Sequence, residues 1–287
     1  MRRFGVQAPA AGGLARSALP YVDRTGARCL QVFVSNPRGW ALSTGDPAQD
    51  EAFRAGCAER DIPAYVHATL LINLGSPTPA TVDQSVLNLE HALRRGAEIG
   101  ASGVVFHAGS AVREDFYTAA LRQVGSRLRP LLDITAERGW PPLLVEPSAG
   151  GGRSLAATVQ ALGPYLETVD FHPWLRVCLD TCHAYAAGHD LAVPGGMGAT
   201  LDALVATVGA DRLALVHAND SRDGVGSTRD RHENIGAGQI GTTGFAELLA
   251  HPATAGVPVL VETPTKADGA GHAADLATLR SLTPAQV

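Results

Sequence analysis

Six short apolar runs in this 287-residue chain each end in a side chain able to bind a metal ion. Ile62–Val66 leads into His67, Gly103–Phe106 into His107, and Pro142–Val145 into Glu146. Arg176–Leu179 leads into Asp180, Arg212–Val216 into His217, and Val257–Val261 into Glu262. Successive tips are 40, 39, 34, 37 and 45 residues apart, about one strand and one helix each time. A buried strand has no use for an ionisable tip unless something there pairs with it. Six in succession point to one polar site built by six strands, and a cation is the simplest partner.

Three more candidates lie beside them. His183 follows the Asp180 tip by three residues, within one helical turn. Asp230 and His232, two apart, share one side of an extended segment. The nine are nitrogen and oxygen donors without a thiolate, which suits zinc, manganese or iron in a hydrolytic site. Nine exceed what one tetrahedral ion needs and match two or three, a grouping that serves phosphoester hydrolysis. Taken singly, each has a plainer reading as a hydrogen-bonding or capping group, and Asp180 before Thr181 could cap the next helix. Cys178 and Cys182 flank Asp180 and read as packing residues, while His91, His172, His189, His251 and His272 read as ordinary surface or packing residues without partners.

The elements that must position these groups follow from the runs themselves. Arg3–Gln7 and Cys29–Val34 precede the six, making eight near-continuous apolar strands, as in a parallel sheet buried on both faces. Helical stretches are predicted over Asp46–Arg60, Thr81–Gly100, Glu114–Arg138, Ser154–Glu167, Thr200–Val208 and Ala273–Leu282. Alternation of this kind predicts an α/β fold, a (β/α)8 TIM barrel forming a single domain over residues 1–287, with its chemistry at the C-terminal ends of the strands. A doubly wound open sheet would gather its site at one switch point and not at six strand ends.

Composition narrows the function. Hydrophobic residues make up 45% of the chain, enough for a full core, and no apolar stretch approaches a bilayer span. Four cysteines without a CxxC pair, and a start lacking an apolar signal segment, predict a reduced, cytoplasmic protein with no membrane partner. A net charge of −5 does not exclude nucleic acid, because three bound divalent cations would more than offset it. Gly236-Ala-Gly-Gln-Ile-Gly241 has the letters of a dinucleotide motif, but no strand precedes it. It and Ala149–Gly152 read as flexible loops whose backbone can approach something closely.

With these residues in place, the chain resembles endonuclease IV, the zinc-dependent apurinic/apyrimidinic endonuclease family within the xylose-isomerase-like barrels. The matching segments include Ala10–Leu14, Asn36–Trp40, Leu71–Leu74, Phe106–Ser110, Cys178–Gly188, Asn219–Ser221, Asp230–Gly236 and Glu262–Pro264. Asp180-Thr-Cys-His183 and Asp230-Arg-His-Glu-Asn-Ile-Gly236 are the most specific strings. The resemblance implies three zinc ions, with manganese as a possible substitute. His67, His107 and Glu146 would hold the first; Glu146 would bridge to a second completed by Asp180, His217 and Glu262; His183, Asp230 and His232 would hold the third. It further implies that a monomer binds double-stranded DNA and cuts the phosphodiester 5′ to an abasic site, leaving a 3′-hydroxyl, with Glu146 as the catalytic carboxylate. Arg38 and Leu70 fall at positions that enter the bent duplex, Leu70 standing where the family carries tyrosine. Gln7, Ala108, Pro147 and Ser148 replace the family's usual residues without removing a ligand. The alternative is a divalent-metal sugar isomerase or epimerase of the same barrel class, which has no use for the trio His183, Asp230 and His232.

Overall fold

Each of the eight apolar runs forms a strand, and all eight pair in parallel into a closed barrel. In this computed structural model, which describes residues 2–284, they are β1 (Phe4–Gln7), β2 (Cys29–Phe33), β3 (Ala64–His67), β4 (Gly103–His107), β5 (Leu143–Glu146), β6 (Leu175–Asp180), β7 (Leu213–His217) and β10 (Val259–Val261), with a separate short antiparallel pair, β8 (Asp220–Ser221) and β9 (His232–Glu233), between the last two. The order around the ring is β1-β10-β7-β6-β5-β4-β3-β2. The xylose-isomerase-like single-domain TIM barrel predicted above is the observed architecture. Met1 and residues 285–287 of the predicted domain lie outside the described residues.

Period-two alternation explains why the tips meet. Tyr65, Val105, Leu144, Cys178, Leu215 and Leu260 form an apolar cluster of their own inside the barrel, separate from the larger core between strands and helices. Each sits two residues before a tip: His67, His107, Glu146, Asp180, His217 and Glu262. Residues two apart on a strand share a face, so the six tips form the next layer inside the same barrel. Register brings neighbours level, pairing His107 with Glu146 and Asp180 with His217. The same rule applied to β1 and β2 places Gln7 and Gln31 in this layer, above Gly5 and Cys29.

The outer layer is carried by α1 (Leu14–Thr25), α2 (Pro47–Glu59), α3 (Pro79–Glu98), α4 (Tyr117–Arg138), α5 (Leu162–Glu167), α6 (Thr181–Ala186), α7 (Gly196–Val208), α8 (Gly241–Ala250) and α9 (Ala270–Leu282). α2 starts where Asp46 accepts from the main-chain N–H groups of Ala48 and Gln49, with Pro47 next. The helix predicted over Ser154–Glu167 is corrected to Leu162–Glu167. Residues 154–156 bond instead to the loops after β4 and β5: Leu155 N–H donates to the Gly109 carbonyl, Ser148 N–H to that of Ala156, and Ser154 bridges Ser110. Pro164, which has no N–H to give, then falls in the first turn, where none is needed. Among the described residues, no helix is long and apolar enough to cross a membrane. All four cysteines are free and buried. Burial pushes the thiols of Cys29, Cys178 and Cys182 up to about 12 and that of Cys57 to about 11.

Candidate metal centre

The structure brings all nine candidate ligands to the C-terminal mouth of the barrel in three groups, the first two sharing Glu146: His67, His107 and Glu146; Glu146, Asp180, His217 and Glu262; His183, Asp230 and His232. The thiols of Cys178 (with Glu146 and His217) and Cys182 (with Asp180 and His232) lie equally close. Glu146 is the hinge between them. Its Oε2 lies 3.3 Å from His67 Nε2 and 3.6 Å from His107 Nε2. Its Oε1 lies 3.3 Å from His217 Nδ1 and 3.3 Å from His183 Nδ1. His217 Nδ1 is also 3.3 Å from Glu262 Oε2 and 4.0 Å from Asp180 Oδ2. In the third group Asp230 Oδ1 is 3.2 Å from His183 Nε2 and 3.0 Å from His232 Nε2.

Most of these side chains are held by a second contact. The Nδ1–H of His67, His183 and His232 donates to the carbonyls of Ala68, Pro147 and Glu262 respectively, at 2.7, 3.0 and 3.3 Å, leaving Nε2 for the site. Asp180 caps a helix and also faces the site. Its Oδ1 caps α6 by accepting from His183 N–H at 2.9 Å, while its Oδ2 lies 3.5 Å from His232 Nε2. Asn219 ties the second group together, donating to Asp180 Oδ2 at 2.7 Å and accepting from the Glu262 N–H at 2.8 Å. Asn219 and Gln31 are buried polar residues that a search by ligand type passes over.

The loop bearing Asp230 and His232 is built around another buried carboxylate, Asp220. Its Oδ1 accepts from the N–H groups of Ser221 and Ile240, and its Oδ2 from those of Gly236, Gly238 and Gly241, at 2.8 to 3.3 Å. A Cβ on Gly238 would collide with the Ser221 carbonyl and the Asp220 carboxylate. The segment Gly236–Gly241 is therefore not the flexible loop expected; its close partner is the protein's own Asp220. Further corrections concern histidines expected to lack partners. His272 is buried and accepts from Tyr21 Oη at 2.9 Å while donating to the Thr263 carbonyl at 2.9 Å. His91 contacts Ser35 and Arg94, His172 contacts Asp133, His189 accepts the Val159 N–H, and His251 contacts Asp202.

The charges around the site bear on which occupant its residues fit. Burial raises the pKa of the Glu146 carboxyl, but His217, His183 and His67 around it hold it well below the usual range. Burial likewise lowers His183, His217 and His232, yet neighbouring groups win, Asp180 first for His183 and His232 and Cys178 then Glu262 for His217, and His232 is driven up to about 9. His107 goes the other way, pushed by burial to about 4 and so kept neutral. Of the four buried side-chain atoms without a hydrogen bond among the described residues, two belong to the site, Glu146 Oε2 and His232 Nε2. Each faces other donor atoms at 3.0 to 3.6 Å without the geometry to bond them. Orphaned buried polar atoms converging on common points are what divalent cations would satisfy, so the residues present fit that occupant.

Comparison with known proteins decides the family. A family model described as "Xylose isomerase-like TIM barrel" matches residues 19–282. A "Probable endonuclease 4" of Streptomyces avermitilis is 55% identical over 278 residues, 97% of this chain and 89% of that protein. The chain belongs to the endonuclease IV family. Membership makes it a nuclease and hence a hydrolase. The solved endonuclease IV from Thermus thermophilus superposes with a TM-score of 0.85 at 36% identity, covering 98% of each chain. A D-tagatose 3-epimerase-like protein shares the fold alone, at 17% identity and a TM-score of 0.73 over 98% of this chain and 97% of that one. Two residues that the endonuclease IV resemblance assigned to DNA, Arg38 and Leu70, are both exposed and lie on adjoining loops, joined where Leu70 N–H donates to the Pro37 carbonyl at 2.9 Å. Of the family departures, Pro147 acts here through its carbonyl, while Ser148 pairs with Ser154 at 2.6 Å.

Proposed function

We propose that this protein repairs DNA by hydrolysing the phosphodiester 5′ to an abasic site, leaving a 3′-hydroxyl, with three zinc ions held by the nine clustered residues. Manganese is the substitute most compatible with these donors. The observation that carries the reading is the division of Glu146 between two groups, one oxygen to each, beside a third group at Asp230. Bound divalent cations would supply Lewis acidity, lowering the pKa of a water and taking up charge on the phosphate and the leaving oxygen. Glu146 would hold two of the cations, facing one group with each oxygen, and would serve as the acceptor for a proton of the attacking water. His107 and Asp230, with side chains 24% and 49% exposed, mark the side open to substrate, whereas Glu146, His67 and His217 exclude water behind them. The third group, His183, Asp230 and His232, favours the nuclease over a sugar isomerase, which needs no such set. We further place the protein in the cytoplasm as a monomer, in keeping with its free buried cysteines.

The zinc-loaded protein is expected to nick a duplex carrying a tetrahydrofuran abasic analogue once, at its 5′ side, leaving an end that a polymerase extends. Elemental analysis should return three equivalents of metal. A fully loaded sample that leaves this duplex intact would end the proposal. At the DNA surface, Arg38→Ala should weaken binding to all duplex sequences alike and reduce the slope of log affinity against log salt by about one. Salt titration of binding reads this directly; an unchanged slope would remove Arg38 from the phosphate contacts.

A further inference from the structure

The inward layer at the barrel mouth has eight positions, and the two that are not candidate ligands are Gln7 and Gln31. Gln31 is wholly buried, and its amide is fully committed. Its Oε1 lies 3.0 Å from His217 Nε2, and its Nε2 lies 2.7 Å from Glu262 Oε1 and 2.9 Å from Gln7 Oε1. The orientation of the amide follows from these neighbours. A carboxylate oxygen only accepts, so the NH2 must face Glu262, and the carbonyl is left to face His217. A carbonyl there requires a proton on His217 Nε2. Nδ1 faces Glu146 Oε1 and Glu262 Oε2 at 3.3 Å and carries the ring's other proton, which a cation bound there would replace, so the lone pair offered to it would be that of Nδ1. This inverts the arrangement of His67, His183 and His232, which are tethered through Nδ1 to main-chain carbonyls and present Nε2. A main-chain tether survives any substitution; the tether of His217 does not.

We propose that Gln31 is a positioning residue of the second group: through one amide it selects the nitrogen that His217 offers and turns Glu262 so that Oε2 faces the same point. Gln7 backs it from β1, level with it in the strand register. The inference rests on the metal reading above and deepens it, since Gln31 touches two of the four residues assigned to that cation and is not one of them.

The test begins with the wild-type protein, stripped by chelator and reloaded with zinc, its uptake measured by elemental analysis. Nitrogen-15 spectra of labelled histidine then report which ring nitrogen of His217 carries the proton, the signal being assigned by its absence from His217→Asn. The expected result is a protonated Nε2 with zinc on Nδ1. In Gln31→Met, of similar shape and apolar, zinc affinity of this group should fall about 10–100-fold in chelator competition. Circular dichroism should be unchanged, and the His217 proton should no longer be confined to Nε2. A proton on Nδ1 in the loaded wild type overturns the inference whether or not the variant folds. So does a Gln31→Met protein with wild-type zinc affinity and an unaltered His217 signal. A wild type that takes up no zinc overturns the underlying metal reading, and this inference with it; that failure is seen at the first step.

Discussion

Glu146→Gln is expected to reduce cleavage of abasic duplex to below about a thousandth of wild type, a loss of roughly 4 kcal/mol of transition-state stabilisation. The substitution keeps the shape of the side chain in a site where Glu146 is completely buried, so the barrel should remain folded. What changes is the charge and one of the two acceptor atoms. Oε2 serves His67 and His107, and Oε1 serves His217 and His183, so an amide must turn its NH2 toward one pair or the other. Whichever way it turns, one group loses its shared carboxylate oxygen. Elemental analysis should show less than the wild-type metal content. Binding to uncut abasic duplex should stay within about threefold, because Arg38 and Leu70 lie on other loops. Cleavage within tenfold of wild type would take Glu146 out of the centre of the reaction.

Asp220→Ala should be the most damaging substitution outside the nine. Asp220 is fully buried, and its carboxylate accepts from five main-chain N–H groups. Removing it strips partners from donors packed in the protein interior, at a cost of about 3 kcal/mol or more. The melting temperature should drop by about 5–10 °C. The loss should fall unevenly. Asp230 and His232 belong to the loop closed at one end by Gly236–Gly241, whereas His67, His107 and His217 stand on barrel strands. Metal content is therefore expected to fall from three equivalents to two before any further loss. An Asp220→Ala protein that melts like wild type with its full metal content would mean that the loop is held by other contacts.

The barrel was legible because its signal is local and repeated: an apolar run, then a ligand-type residue, at a spacing of one strand–helix unit. What was missed has a common physical cause. Gln7 and Gln31 obey the same period-two rule as the six tips, but an amide is not a typical metal donor, so attention to residue type passed over them. Asp220 was hidden differently. Four of its five partners are main-chain N–H groups 16 to 21 residues later, three of them on glycines, and main-chain partners leave little other trace in the sequence. Those glycines predict a flexible loop able to approach something closely; the close approach is present, to a buried charge, and the flexibility is not. The shortened α5 failed for a similar reason, since contacts from residues 154–156 to the β4 and β5 loops outweighed local helical preference. Helix α1 carries Pro20 in its interior and follows two glycines, which masked it as a helix.

The burial of all four thiols bears on the conditions under which the protein can work. Oxidants attack thiolates that are exposed, and none of these cysteines is either exposed or readily ionised. The nine clustered donors are imidazoles and carboxylates, and the two thiols within reach of them, Cys178 and Cys182, are buried and held protonated. A chain built this way presents oxidants with no ready thiolate to cross-link.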